Sequence, residues 1–136
     1  MTLKELLMRD EGLRLKVYTD STGHLTIGFG RNVSQVGISL AEAELLLDHD
    51  IQRTTADVLA ALPWTMGLDD ARRDALINMA FNLGIGGLLG FHKMLAACQA
   101  GDWATAGLEA LNSDWARQVG PRAYRISRQL ETGVWV

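Results

Sequence analysis

The amino-acid sequence predicts an α+β fold with two lobes, in which a long helix joins a small antiparallel sheet to a helical bundle. Three observations support this prediction. Residues 14–30 alternate apolar positions with polar or glycine positions, which is typical of strands. Residues 39–62 form one long stretch with helical spacing, and short helical stretches separated by glycine follow it. Because strands and helices are segregated along the chain, an α+β class is favoured.

The N-terminal part of the chain predicts a short helix followed by strands. Residues 2–11 place apolar residues on one side of a helix, and Gly12 is a typical helix stop. The segment "DSTGH", residues 20–24, predicts a turn between strands. In the strand after this turn, successive side chains point to opposite faces. One face carries Leu25, Ile27 and Phe29, and the opposite face carries His24, Thr26, Gly28 and Gly30.

The rest of the chain predicts the long helix and the helical lobe. A capping box formed by Ser39 and Glu42 indicates the start of the long helix, which ends before Pro63. After it we expect a central buried helix over about residues 69–83, an interhelical loop "GIGGLLG" over 84–90, and helices around 92–100, 103–111 and 121–132. We predict a single domain, 1–136, made of a β lobe (about 12–38), a connecting helix (about 39–62) and a helical lobe (1–11 plus about 63–136).

Composition restricts the classes of protein to which the chain can belong. Its 136 residues, of which 48% are hydrophobic and 21% charged, suit one globular domain. No apolar run reaches the roughly 18 to 20 residues that span a bilayer, so we expect no membrane insertion. The N-terminus lacks the pattern of a secretory signal. The net charge of −3 argues against nucleic acid as a partner, and we expect a monomer.

The sequence predicts no disulfide, metal site or cofactor. Cys98 is the only cysteine, and its helical spacing among apolar residues favours a packing role over a reactive thiol. His24, His49 and His92 lie far apart, without the spacing of metal ligands. Residues 114–136 carry four arginines against two acidic residues. We expect these arginines on the exposed side of an amphipathic helix that packs on the bundle.

Two carboxylates and a threonine near the N-terminus are the candidate catalytic residues. Glu11 ends the first helix, where exposed carbonyl groups disfavour a negative charge, and a carboxyl group that keeps its proton suits a general acid. Asp20 opens the turn, and Thr26 lies on the glycine-bearing face, where a flat sugar ring can approach the backbone. Two carboxylates beside such a groove are the groups that glycoside hydrolysis requires. Taken singly, the three residues also suit an ordinary surface, turn and strand position.

Several separated segments resemble one known family. The segment "LLMRDEGLRLKVYTDSTGHLTIGFG" resembles the N-terminal signature of the phage T4-type lysozymes, a glycoside hydrolase family that degrades bacterial peptidoglycan. The likeness continues in order through "LDDARRDALINMAFNLG", "GDWATA" and "SDWARQVGPRAYRISRQLETGVW", and covers nearly the whole chain. The resemblance implies a lysozyme-like fold and a catalytic set of Glu11, Asp20 and Thr26. The stretch between Gly30 and Ser39 is shorter than in the phage T4 enzyme, so we expect a trimmed small lobe.

The resemblance also implies roles for further residues, according to their position in the family pattern. The resemblance implies that Arg122 pairs with Glu11 and fixes the orientation of its carboxyl group. Arg31 replaces a common histidine and Asp50 matches its usual acidic partner, so we expect an Arg31–Asp50 ion pair. Packing alone also suits Trp115. The residues expected to bind substrate or support the site are Gly28, Gly30, Asn82, Trp115, Gln118 and Arg122.

These expectations describe an endolysin-type muramidase that lyses its host. It would hydrolyse, with inversion, the β-1,4 bond between N-acetylmuramic acid and N-acetylglucosamine in bacterial peptidoglycan. A lytic transglycosylase, which needs no hydrolytic water, and a non-catalytic peptidoglycan-binding module are the alternatives. We expect the protein to wait in the host cytoplasm and to act on the cell wall in the periplasm. Its wall affinity would rest on the arginine-rich tail and fall with added salt.

Overall fold

The computed structural model describes residues 1 to 136 and contains two compact units, Met1–Leu46 and Leu47–Val136. The predicted α+β class is confirmed, because a small antiparallel sheet accompanies a mostly helical chain. The finer prediction, of one domain in which residues 1–11 belong to the helical lobe, stays a prediction.

The first unit contains a helix, a three-stranded sheet and a helical turn. Its elements are α1 (Leu3–Glu11), β1 (Arg14–Thr19), β2 (Leu25–Gly28), β3 (Arg31–Asn32) and α2 (Val33–Val36). The sheet is antiparallel in the order β1-β2-β3, so β2 is the central strand. Helix α1 begins with a capping box, in which Glu5 N–H donates to Thr2 Oγ1 (3.2 Å) and Thr2 N–H donates to Glu5 Oε2 (2.7 Å).

The strand after the turn differs from the prediction in its length and in its covered face. It ends at Gly28, and a turn through Phe29 and Gly30 leads into β3. Gly28 and Gly30 have φ values of 70° and 73°, which glycine adopts without strain. Thr26 is buried, with 4% of its surface exposed, whereas Leu25 is exposed. The Thr26 side of β2 is therefore covered at this position, which differs from the bare groove that the sequence predicted.

Helix α3 (Leu40–Ala61) begins as predicted, at a capping box. Glu42 N–H donates to Ser39 Oγ (3.1 Å), and Ser39 N–H donates to Glu42 Oε1 (2.8 Å). The Glu42 carboxylate also binds the Arg31 guanidinium, with 2.6 Å between Nη1 and Oε1 and between Nη2 and Oε2. Hydrogen bonds from Arg31 and then from Ser39 lower the pKa of Glu42 to about 2. Glu42 thus fixes both the start of α3 and the side chain of Arg31.

Arg31 and Asp50, the residues of the predicted ion pair, each have a partner within their own unit, and their pairing with each other stays a prediction. Arg31 pairs with Glu42, and Asp50 accepts from Arg53 Nη2 at 2.8 Å. Asp50 and Arg53 are three residues apart on α3, so they lie on the same helix face.

The second unit is helical and contains the apolar core. Besides most of α3, it has a 3-10 helix (Pro63–Gly67) and the helices α4 (Asp70–Leu89), α5 (His92–Ala100), α6 (Trp103–Leu111), α7 (Asp114–Val119) and α8 (Pro121–Thr132). The largest apolar side chains that are fully buried are Val58, Leu76, Met79, Leu88, Met94, Ile126 and Leu130. No single helix of the chain is long and apolar enough to cross a membrane, although α4 and α5 together, bent by 103°, have the length and composition.

The helix α4 is interrupted at Gly84, which has non-helical backbone angles of φ 77° and ψ 162°. The predicted end of the central helix near Leu83 is therefore confirmed, and a second helical segment continues from Ile85 to Leu89. The predicted interhelical loop over residues 84–90 is therefore wrong, since residues 85–89 are helical beyond a single glycine kink. Helix α7 was not predicted. It begins at Ser113, whose Oγ accepts from Ala116 N–H at 3.1 Å.

The C-terminal helix α8 is joined to the start of α4 by side-chain contacts. Arg72 lies over the Trp103 ring, 4.3 Å from its centroid, and donates from Nε to Leu130 O at 2.7 Å. Gln129 Nε2 donates to Ala71 O at 2.6 Å, and this contact is buried. These contacts connect residues that are far apart in the sequence and satisfy carbonyl groups on both helices.

The predicted amphipathic character of α8 is confirmed, although of the four arginines Arg117 lies on α7 and Arg122 is half-buried. Its arginines Arg125 and Arg128 are exposed, while Ala123, Ile126 and Leu130 are buried. Both acidic residues of the basic tail are paired with arginines: Asp114 with Arg117, and Glu131 with Arg128 at 3.6 Å.

The single cysteine has the packing role that the sequence favoured. Cys98 lies on α5 with 1% of its surface exposed. Burial raises the pKa of its thiol to about 12, so the reactive thiolate is disfavoured.

Candidate active site

The nine predicted site residues are divided between the two units. Glu11, Asp20, Thr26, Gly28 and Gly30 lie in the first unit, and Asn82, Trp115, Gln118 and Arg122 lie in the second. Their catalytic and supporting roles remain predictions.

Glu11 is the last residue of α1 and lies against Gly30. The chain leaves the helix at Gly12, whose N–H donates to Met8 O at 3.2 Å and whose φ is 72°. A Cβ atom at Gly30 would lie 2.6 Å from Glu11 Oε2 and 2.9 Å from its Cδ. Because glycine has no side chain, Gly30 leaves this space to the Glu11 carboxyl group.

Asp20 is held by the turn between β1 and β2. Its Oδ1 accepts three hydrogen bonds, from Thr22 N–H (2.9 Å), from the Thr22 hydroxyl (2.7 Å) and from His24 N–H (2.9 Å). Its backbone N–H donates to His24 O at 2.9 Å. The His24 N–H first, and then the Thr22 hydroxyl, lower the pKa of Asp20 below its ordinary value. Asp20 is therefore an ionised carboxylate at neutral pH, with Oδ1 fully used and Oδ2 without a hydrogen bond.

Thr26 lies in the middle of the sheet. Its neighbours across the two strand pairs are Tyr18 and Asn32. Its hydroxyl donates to His24 O at 3.1 Å. Because a hydroxyl group has only one proton, Thr26 Oγ1 can only accept a hydrogen bond from any further partner.

His24 connects Asp20 with Thr26. From the sequence it was considered only as a strand residue and as a metal ligand, and the second role was rejected. Its backbone oxygen accepts from both Asp20 N–H and Thr26 Oγ1, and its backbone N–H donates to Asp20 Oδ1. Its ring also contacts Thr22 Oγ1. The sequence did contain a hint, because His24 is four residues after Asp20 and two before Thr26.

The predicted supporting residues of the second unit form two separate contacts. Trp115 is buried, packs edge-on against Phe91, and donates from Nε1 to Asn82 Oδ1 at 2.8 Å. Arg122 donates to Asn78 Oδ1 from Nε (3.0 Å) and from Nη2 (2.7 Å). Two predicted residues, Asn82 and Trp115, are thus brought together, while the pairing of Arg122 with Glu11 stays a prediction.

Two clefts within the second unit contain these residues. Trp115 lines a cleft of about 550 Å³ together with Phe91, Met94 and Asp114. Arg122 lines another of about 410 Å³ together with Asn78 and Phe81. Gln118 is exposed on α7 and lines neither cleft. Within this unit the predicted supporting residues therefore do not converge on one place.

Comparison with known proteins identifies the family. The Phage lysozyme family matches residues 8–130 of the chain. The chain belongs to the phage lysozyme family. The chain is 27% identical to the Probable T4-type lysozyme 1 of Dictyostelium discoideum, over 97% of the chain and 95% of that protein. It is 31% identical to the Endolysin of Acyrthosiphon pisum secondary endosymbiont phage 1, over 86% of the chain and 80% of that protein.

A larger phage protein also contains a segment similar to this phage lysozyme family member. The chain is 34% identical, over 98% of its length, to the pre-baseplate central spike protein Gp5 of Enterobacteria phage T4. The match covers only 28% of the spike protein. The predicted resemblance to T4-type lysozymes is confirmed, and membership of this family assigns the chain a lysozyme-type glycoside hydrolase function.

Proposed function

We propose that this phage lysozyme family member is a muramidase that hydrolyses the β-1,4 bond between N-acetylmuramic acid and N-acetylglucosamine in peptidoglycan, the substrate that the family implies. The observation that carries the proposal is the shared use of His24 O by Asp20 N–H and by the Thr26 hydroxyl. It joins two of the three predicted catalytic residues through one backbone group. A hydrolytic water needs such fixed acceptors, whereas a binding module does not.

In the proposed reaction Glu11 donates a proton to the glycosidic oxygen. Its position supports this role, because the carboxyl group lies against the β2–β3 turn, in the space that a side chain at residue 30 would fill. The leaving group takes the Glu11 proton as the bond between its oxygen and the anomeric carbon breaks, which leaves Glu11 ionised.

Asp20 and Thr26 orient and activate the water. A lowered pKa keeps Asp20 ionised, so its free Oδ2 accepts one proton of the water. Thr26 Oγ1 already donates its proton to His24 O, so towards the water it acts as an acceptor. A water that donates to both residues directs its oxygen lone pair at the anomeric carbon. Attack from the face opposite the leaving group inverts the configuration, and the water proton passes to Asp20.

Product analysis after digestion of purified peptidoglycan tests this proposal. We expect mass spectrometry to find reducing muramic acid ends for the wild type and none for Glu11→Gln. The matched control is Glu44→Gln, which changes another exposed glutamate of the first unit, one without a hydrogen bond or ion pair. This control should digest peptidoglycan at the wild-type rate.

The other outcomes identify the alternatives. Anhydro-muramic ends would make the protein a lytic transglycosylase and remove the water from the mechanism. Sedimentation with the wall but no product, from the wild type, would favour a non-catalytic binding module. Full activity of Glu11→Gln would show that another group is the acid. Proton NMR of the first product formed would separate inversion, the α anomer, from retention, the β anomer.

The setting we propose is that of an endolysin, a monomer that stays in the host cytoplasm until lysis and then reaches the wall in the periplasm. The similarity to endolysins over most of the chain supports this setting. The match to part of a spike protein favours a second setting, in which the same hydrolase unit belongs to a virion component. Lysis from outside by purified virions, as opposed to lysis only after inner-membrane damage, distinguishes the two.

A further inference from the structure

A chain of side-chain hydrogen bonds in the first unit ends at the Asp20 carboxylate. Thr22 Oγ1 lies 2.7 Å from Asp20 Oδ1 and 2.7 Å from His24 Nδ1. On the other side of the imidazole, His24 Nε2 lies 3.4 Å from Gln35 Nε2. Gln35 Oε1 lies 3.3 Å from Asn32 Nδ2. The chain therefore runs from the β3–α2 junction, through the histidine ring, to the predicted catalytic aspartate.

The direction of each hydrogen bond follows from the donors and acceptors that the groups possess. An ionised Asp20 only accepts, so the single proton of the Thr22 hydroxyl points to Oδ1. Thr22 Oγ1 can then only accept from the imidazole, which requires a proton on His24 Nδ1. In the neutral ring Nε2 is an acceptor, and the group that faces it is the Gln35 amide nitrogen, a donor.

The last contact agrees with this direction. With its nitrogen facing the histidine, Gln35 presents its oxygen to Asn32 Nδ2, which is a donor. Asn32 in turn is fixed by the start of α2, where its Oδ1 accepts from Gln35 N–H at 3.2 Å. Every group in the chain has a complementary partner when His24 carries its proton on Nδ1, and the opposite tautomer would place two donors or two acceptors face to face.

We propose that His24 is a positioning residue for the proposed hydrolysis, whose Nδ1–H tautomer holds the Thr22 hydroxyl on Asp20 Oδ1. The inference rests on the proposed function, since it concerns how Asp20 is held for that reaction. Without the imidazole donor, the Thr22 hydroxyl is free to rotate away from Oδ1. The carboxylate then loses one of its three anchoring hydrogen bonds, and Oδ2 no longer has a fixed position for the water.

The imidazole and the carboxylate are partly open to solvent, with 37% and 31% of the two side chains exposed. A water molecule can therefore replace the hydrogen bond that the ring donates to Thr22 Oγ1, but it does not fix the rotation of the Thr22 hydroxyl. We expect a loss in rate of about tenfold, smaller than the roughly hundredfold loss that a 1 Å misplacement of reacting groups can cause.

Two amide variants separate the two ring nitrogens. His24→Asn places an amide nitrogen close to the position of Nδ1 and keeps the donor to Thr22. His24→Gln places its amide close to the position of Nε2 and loses that donor. The backbone contacts of His24 to Asp20 and Thr26 do not depend on the side chain, so both variants keep them.

Steady-state kinetics on a soluble peptidoglycan fragment test the positioning role. We expect His24→Gln to lower kcat about tenfold with KM unchanged, and His24→Asn to stay within about threefold of the wild type. His49→Gln, a change of an exposed histidine on α3, is the control for loss of an imidazole. Equal activity of His24→Gln and the wild type would overturn the inference, as would equal losses in the two His24 variants.

Long-range proton–nitrogen NMR of the histidine rings tests the tautomer without any substrate. We expect His24 in the neutral state to carry its proton on Nδ1, whereas exposed His49 should show the Nε2–H form that a histidine side chain in water prefers. An Nε2–H form at His24 would overturn the inference while leaving the muramidase proposal intact. An inactive wild type would overturn both, and the Glu11→Gln comparison would already have revealed that failure.

Discussion

The two units of the chain are stabilised by different means. In residues 1–46 the only buried residue is Thr26, and apolar side chains such as Leu15 are largely exposed, Leu15 to 81%. In residues 47–136 a continuous apolar core includes Leu76 and Met79, both without exposed surface. The first unit relies instead on capping boxes, on the Asp20 turn and on the Arg31–Glu42 pair.

This difference bears on the proposed chemistry. All three predicted catalytic residues lie in the unit without an apolar core. Hydrogen bonds and turn geometry, rather than close packing, therefore fix their positions. Segments with few buried apolar contacts open locally at lower free energy than a packed core. We expect substitutions in the first unit to affect activity before stability, and substitutions in the core to do the reverse.

The largest effect we expect is on the core. Leu76→Ala should lower the free energy of unfolding by about 2–5 kcal/mol, because it leaves a cavity that the close-packed helices cannot fill. Leu15→Ala, in the exposed strand β1, should change it by no more than about 0.5 kcal/mol. Urea denaturation followed by tryptophan fluorescence reports on the second unit, since all four tryptophans lie there.

Amide exchange complements this measurement for the first unit, which contains no tryptophan. Amides of β2 should exchange faster than those of α4 in the wild type, and Leu15→Ala should change neither set strongly. If Leu15→Ala lowers the free energy of unfolding as much as Leu76→Ala does, the two units are not stabilised differently, because β1 then contributes to a packed core.

An intermediate effect is expected at Gly30. A methyl group there would lie 2.6 Å from Glu11 Oε2, so Gly30→Ala should displace the proposed acid and reduce hydrolysis. The strained φ of 73° adds a stability cost of roughly 1–3 kcal/mol. Gly28→Ala is the matched variant, since Gly28 has nearly the same φ but nothing within 4 Å of the added methyl group.

Comparison of the two glycine variants isolates the contact with Glu11. Both should lose similar stability by thermal denaturation, and activity lost by Gly30→Ala beyond that lost by Gly28→Ala measures the displacement of the acid. Equal activities in the two variants would mean that the carboxyl group moves aside without consequence.

The smallest effect concerns Glu42. Its pKa is lowered from 4.5 to about 2 in the folded protein, so its ionised form stabilises the fold above pH 4.5. That contribution is lost as the pH falls from 4.5 through about 2. Glu42→Gln keeps an oxygen for the capping box but loses the charge facing Arg31. The melting temperature of the wild type should exceed that of the variant by a few degrees at pH 7 and converge with it near pH 2.

Glu44→Gln, on the same helix, should show no such pH-dependent difference. If the difference in melting temperature between the wild type and Glu42→Gln stays constant down to pH 2, the contact with Arg31 stabilises the fold through packing and neutral hydrogen bonds and not through charge.

Local sequence patterns predicted most of the fold. The capping box at Ser39 and Glu42 and the entry of α8 at Pro121 depend on residues a few positions apart, and both are present. The break at Gly84 was predicted correctly, but the helical segment after it was not, because the glycines of residues 84–90 have the pattern of a loop. Helix α7 was missed because six residues are too few for a recognisable period.

The site was less accessible from the sequence. The resemblance to the family pointed to Glu11, Asp20 and Thr26. It did not predict the contact of Glu11 with Gly30, which depends on how α1 meets the β2–β3 turn. The role of His24 depends on which ring nitrogen faces Thr22, and a sequence contains no tautomers. The pairing of Arg31 with Glu42 was also not predicted, because it depends on how β3 meets the start of α3.

The contacts between the start of α4 and the end of α8 also constrain the order of events during synthesis. Arg72 and Ala71 emerge from the ribosome long before their partners Leu130 and Gln129 exist. At a synthesis rate of roughly 5–20 residues per second, several seconds pass between the synthesis of α4 and that of α8, and the side of α4 that packs on α8 stays exposed. Chaperones and proteases can bind the nascent chain during this interval. A truncated mRNA that ends before α8 would produce a chain without the buried side chains that α8 contributes to the core.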